Sequence, residues 1–103
     1  MRSVDVFVGQ SLAGRLEQSD DGRTYVFRYE PAYLGAPVSL AMPVSGREFT
    51  FNDFPPFFDG LLPEGPQLEA LLLRAKLDAG DRMGQLLAVG EDVVGNVSVK
   101  PGT

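Results

Sequence analysis

Residues 49–76 read FTFNDFPPFFDGLLPEGPQLEALLLRAK, and within this stretch the spacing of apolar side chains changes. Four of the seven phenylalanines and four of the eight prolines fall between residues 51 and 66. A core uses the aromatics but has little use for so many prolines beside them. A flexible linker tolerates the prolines but not the aromatics. A short helix followed by a proline-stiffened loop satisfies both. Asn52 or Asp53 can cap a helix whose first turn holds Pro55 and Pro56, where a missing N–H costs little. Gly60 and Pro63 stop it. Phe54, Phe57, Phe58 and Leu61 follow helical spacing and can pack beneath it. After PEG a second helix begins, with Pro66 in its first turn and Leu68, Leu71, Leu72 and Ala75 on one apolar face. Arg74 and Lys76 sit in its last turn, where the helix dipole favours cations.

Upstream the period is two. SVDVFV places Val4, Val6 and Val8 on one face, and LAGRLEQ returns after the turn at Gly9–Gln10. SDDGR carries an Asp-Gly pair, a hairpin signal. TYVFRYE then puts Tyr25, Phe27 and Tyr29 on one face. PAYLGAP is a loop, and VSLAMPV is expected as a strand at an edge or bulge because of Pro43. REFTF is a short further strand. Downstream, Asp81 can cap a third helix running through Met83, Leu86 and Leu87 to Gly90, and VVGNVSVK closes the chain as a strand. The fold class expected is α+β: a small antiparallel sheet or partly closed barrel, with a two- to three-helix insertion before the last strand. Residues 1–103 make one domain.

Composition narrows the chemistry. With 44% hydrophobic and 22% charged residues the chain is ordinary globular protein. It has neither an apolar run of membrane-spanning length nor a signal-peptide pattern, which argues for the cytoplasm. The net charge is −5 and the nine basic residues are scattered singly, against direct contact with nucleic acid. Histidine and cysteine are both absent, so Ser-His and Cys-His nucleophiles and the usual zinc sets cannot be built. GEDVVGN at 90–96 has the glycine spacing of a phosphate loop, but Asn96 and Val97 stand where Lys and Ser/Thr are needed. Asp20–Asp21 and Glu91–Asp92 are turn residues. Asp59 and Glu64 could form an acid–base pair or a weak divalent-ion site. The plainer roles are a local backbone hydrogen bond for Asp59 and service at the second helix's N-terminus for Glu64. No cofactor, catalytic group or small-molecule substrate is expected, and the chain is expected not to be an enzyme.

A scaffold without catalytic side chains displays something, and the candidate is the loop GLLPEGP. Two adjacent leucines in a tight turn cannot both point inward, so an exposed apolar tip is expected, stiffened by Pro63 and Pro66. A stiff loop loses little entropy on docking. The partner-binding residues are then Phe58, Asp59, Gly60, Leu61, Leu62, Pro63, Glu64, Gly65, Pro66 and Gln67. These residues leave open the alternative that both leucines are buried and the loop is inert.

Taken in order, VFVGQSLAGRLE, YVFRYEPAYLGAPVSLAMPV, FFDGLLPEG and GQLLAVGEDVVGNVSV resemble the N-terminal subdomain of the HipA family of serine/threonine kinases, the toxins of bacterial toxin–antitoxin systems. The pairing of SLAMP with FFDGLLPEG is the specific part. In that family the subdomain precedes a larger kinase portion with the ATP-binding loop and catalytic aspartate, none of which is in this sequence. The remainder looks like HipS, the small antitoxin of three-component HipBST systems. The resemblance implies a HipT-like kinase as partner, a HipB-like helix-turn-helix protein as a possible third component, and inhibition by binding. It also leads one to expect a bulky aromatic just after PEG, where this sequence has Pro66 and Gln67. Two other roles stay open: a structural subdomain of a full-length HipA-like kinase, and a small-ligand binding barrel.

Overall fold

The computed structural model describes residues 2–90 and 96–102. Five strands form one antiparallel sheet: β1 (Arg2–Val8), β2 (Ser11–Gln18), β3 (Tyr25–Tyr29), β4 (Glu48–Phe51) and β5 (Val97–Pro101). Their order is β4-β3-β2-β1-β5, an open sheet with β4 and β5 at its edges, so the barrel alternative does not hold. Helices α1 (Pro56–Asp59), α2 (Gly65–Ala75) and α3 (Arg82–Val89) all lie between β4 and β5. The insertion therefore has three helices. The Glu91–Asp92 turn, most of the 90–96 stretch and the first residues of VVGNVSVK lie outside the described residues.

The strict alternation on β1–β3 sorts the two faces. Phe49, Phe27, Leu16 and Val4 stand side by side across four strands on the inner face. Phe27, Leu16 and Val4 are fully buried there. One residue along, the register sets Glu48, Arg28, Arg15, Asp5 and Lys100 in a row on the outer face. Arg28 bonds Glu48 and Glu17, each at 2.8 Å, and Arg15 bonds Asp5 at 3.1 Å. The charges of that face are thus paired with one another. Gly14 has no room for a side chain, since a Cβ there would lie 2.4 Å from the Arg28 carbonyl oxygen.

The helices cover the inner face. Phe58 of α1 and Met83 and Leu86 of α3 are buried in the core with the strand residues. Asp81 caps α3 as its sequence suggests, accepting from the Gly84 N–H at 3.0 Å, and Arg2 of β1 pairs with it at 2.6 Å. The buried Gln85 amide donates to the Asp78 and Ala79 carbonyls at 3.1 and 3.0 Å and so organises the turn between α2 and α3. Helix α2 is less engaged than its leucine pattern implies. Leu71 is buried, Leu68 and Leu72 are half-buried, and Ala75 is exposed. It packs on α3 at the rim rather than on the sheet, so only a narrow strip of its surface meets apolar neighbours.

Two expectations are corrected. VSLAMPV is not a strand: it has one isolated bridge, Ser39 to Met42, and then a 3-10 turn at Val44–Gly46. The place beside β3 is taken by β4. The polar groups that a strand would have paired go instead to Tyr29, whose buried hydroxyl donates to the Met42 carbonyl and accepts from the Val38 N–H at 2.9 Å. Neither Asn52 nor Asp53 caps α1. The cap position is Pro55, and the Asp53 carboxylate accepts from the adjacent Phe54 N–H at 2.9 Å.

Tyr29→Phe should cost about 2 kcal/mol in urea unfolding, because it strands one buried donor and one buried acceptor. Burial pushes the Tyr29 hydroxyl above its ordinary value. Its contribution should therefore be complete below about pH 10 and lost as pH rises through the raised folded value. Melting curves taken through that range should fall more steeply for the wild type than for Tyr29→Phe.

Candidate functional site

The segment 58–67 begins inside the core and ends in solvent. Phe58 is fully buried, with its ring 5.8 Å from Phe27 and 5.2 Å, edge on, from Phe57. The chain then stays helical for one more turn. Leu61 donates to the Phe58 carbonyl and Leu62 to the Asp59 carbonyl, each at 3.1 Å. Residues 58–62 are therefore a tight coil and not an open loop.

That coil overturns the expected exposed apolar tip. Leu61 and Leu62 are both half-buried and packed against the core. Successive residues of a tight helical turn diverge by roughly a third of a revolution, so two neighbours can each graze one apolar surface. The exposed part is polar and lies further on, at Glu64, Gly65, Pro66 and Gln67.

Rigidity is built in at both ends. Pro63 follows the coil and Pro66 sits in the first turn of α2. Gly65 has φ +58°, a conformation that glycine adopts without penalty, and a Cβ there would meet nothing within 4 Å. Backbone sign, not space, makes this position glycine. Glu64 occupies the cap position of α2, the place its sequence suggests, although its side chain makes no capping hydrogen bond. Its backbone is extended and its carboxylate is left at the surface. Asp59 pairs with Arg82 of α3 at 3.2 Å, a tie between the base of the loop and the third helix. No cluster of three or more metal-binding side chains occurs among the described residues.

Beside the loop lies a shallow groove of about 530 Å³ in which Pro63 and Gln67 meet Ala70, Leu71 and Arg74 of α2 and Val89 of α3. A second, apolar groove of about 360 Å³ is lined by Met42, Phe51, Pro55, Pro56 and Phe57 among others. Sequence pattern missed this one, because its wall comes from 39–42, which was expected to be a strand. The signal that could have found it is the absence of any charged residue from 31 to 46.

A family model described as HipA N-terminal domain matches residues 4–100. The chain belongs to the HipA N-terminal domain family. A solved structure titled "N-terminal domain of HipA toxin" superposes with a TM-score of 0.79 at 30% identity, covering 100% of this chain and 94% of that one. An uncharacterized protein of Haemophilus influenzae is 33% identical over 100 residues, which is 97% of this chain and 92% of that protein. A putative kinase of Sinorhizobium fredii is 33% identical over 108 residues, 95% of this chain but only 26% of the kinase. The HipA N-terminal domain thus recurs both in a protein of nearly this length and as a quarter of a much longer one.

Two substitutions separate anchoring from presentation. Phe58→Ala should destabilise the fold by about 3–5 kcal/mol, since it empties the contact with Phe27. Gly65→Ala should cost about 1–2 kcal/mol through the left-handed backbone alone. Chemical denaturation of both variants checks the ranking.

Proposed function

We propose that this HipA N-terminal domain is an antitoxin that binds a HipT-like serine/threonine kinase in trans and holds it inactive. The observation that carries this is the match to a Haemophilus influenzae protein of almost the same length, at 97% and 92% coverage. A domain that is a minor part of one protein and nearly the whole of another has a natural role as a detachable partner. A kinase without the domain would retain the surface that the domain covers. The contact we assign is Phe58–Gln67. Phe58 anchors the base, Leu61 and Leu62 pack the coil, and Glu64–Gln67 meet the kinase. Preorganised backbone at Pro63, Gly65 and Pro66 keeps the entropic cost of docking low.

The chain acts by shape. It has no histidine or cysteine to serve as nucleophile, base or soft metal ligand, and the role needs no cofactor or small-molecule substrate. Arg15 and Arg28 of the sheet face are engaged with carboxylates, which favours a protein partner over direct contact with nucleic acid. DNA binding, where the complex has it, belongs to a HipB-like third component. The site of action is the cytoplasm. No helix among the described residues is long and apolar enough to cross a membrane.

Because the leucines are packed, the informative changes are at the exposed tip. Glu64→Lys combined with Gln67→Arg should leave the melting temperature unchanged. It should weaken co-purification with a HipT-like kinase at least about tenfold and abolish growth rescue on co-expression. A double variant that still co-purifies and still protects cells removes the loop from the interface. The Sinorhizobium fredii match favours a second role, a non-catalytic structural subdomain of a longer kinase. Failure of the wild-type chain to restore growth in trans would select that role instead.

A further inference from the structure

The apolar groove beside α1 is not used by the loop contact, yet it is the most hydrophobic depression described. Met42, Phe51, Pro55, Pro56 and Phe57 line it, with Ala41 on its exposed wall. Leu40, between the lining residues Ser39 and Ala41 in sequence, is 94% exposed, more than any other large apolar side chain described. Residues 31–46 carry no charge at all. The floor is rigid, because Met42 is held through its carbonyl by the Tyr29 hydroxyl. A firm apolar depression with a protruding leucine beside it is the form of a protein-docking surface.

Charge indicates what docks there. Residues 48–73 hold five acids and no base; Glu48 is paired with Arg28 and Asp59 with Arg82, so the acids that bear on a partner are Asp53, Glu64 and Glu69. Of the two bases that flank this run, Arg74 lies in the last turn of α2, and Arg47 is turned inward, donating to the Glu30 and Tyr33 carbonyls at 3.2 Å each. Asp53 is exposed and lies between two groove residues, Phe51 and Pro55. The groove is also continuous with the proposed kinase contact: Pro56 and Phe57 line it, while Phe58 and Asp59 of the same helix begin the loop.

We propose that this groove, together with Leu40, is a second docking surface for the kinase, taking a kinase segment that presents an apolar side chain flanked by lysine or arginine. This rests on the antitoxin reading above. One rigid helix then carries both contacts, the loop at one end and the groove at the other.

The test is the affinity and association rate of the purified protein for the HipT-like kinase of the proposed function, at low and high salt. Leu40→Asp and, separately, Ala41→Arg should each weaken Kd at least about tenfold, with circular dichroism unchanged because both positions are exposed. Leu73→Asp, at a site 81% exposed on α2, should bind as the wild type does. Asp53→Lys should slow association and flatten its salt dependence. If Leu40→Asp and Ala41→Arg bind normally, the groove is not a contact and the antitoxin reading stands without it. If Asp53→Lys leaves the salt dependence intact, the basic flank is wrong. If the wild type does not bind the kinase, both proposals fall.

Discussion

The contact between Phe27 and Phe58, with ring centroids 5.8 Å apart and both side chains fully buried, joins the two halves of this protein. The sheet has one apolar face and must cover it; the helices are too short to stand by themselves. Helix α1 spans only Pro56–Asp59, so its stability comes from what Phe58 buries and not from its own hydrogen bonds. Fully burying such a ring is worth roughly 2–3 kcal/mol. The loop that follows inherits its position from that anchor. Without it, the prolines would stiffen a segment that pointed nowhere in particular.

A second constraint shapes the groove lined by α1. Tyr29 ends β3 with its ring in the core, stacked on Tyr33 at 5.9 Å, and its hydroxyl holds Val38 and Met42 by their backbones. With the Tyr33 hydroxyl, which donates to the Ala36 carbonyl at 2.6 Å, it fixes a long uncharged connection that pairs with no strand of the sheet. The result is a firm apolar wall next to the α1 groove. The loop and the groove therefore depend on two different aromatic residues of the same strand, Phe27 and Tyr29, which are T-shaped neighbours at 4.8 Å. Surfaces suited to binding appear where the core aromatics run out to the edge of the sheet.

The outer face does the opposite work. Arg28, Arg15, Asp5, Glu17 and Glu48 satisfy one another across four strands. Exposed pairs of this kind add little stability each. What they do is neutralise the basic side chains Arg15 and Arg28 on that face.

Much of this was legible in the chain. Alternation placed Val4, Val6, Tyr25, Phe27 and Tyr29 on the buried face, the Asp81 cap marked α3, and the prolines of 55–66 marked a stiff turn, because each is a local effect decided by neighbours in sequence. VSLAMPV shows the limit. Its alternation is real, but whether it pairs as a strand depends on which segment reaches the edge of β3, and REFTF occupies that place. Leu61 and Leu62 show it again: adjacency suggested that one must face solvent, yet a coil that continues past α1 lets both lean on the core. By itself the sequence determined the period of each half, the turns between them and the absence of histidine and cysteine chemistry, all properties of nearby residues. Only the tertiary structure decided which apolar residues remain uncovered, because that depends on contacts between segments distant along the chain.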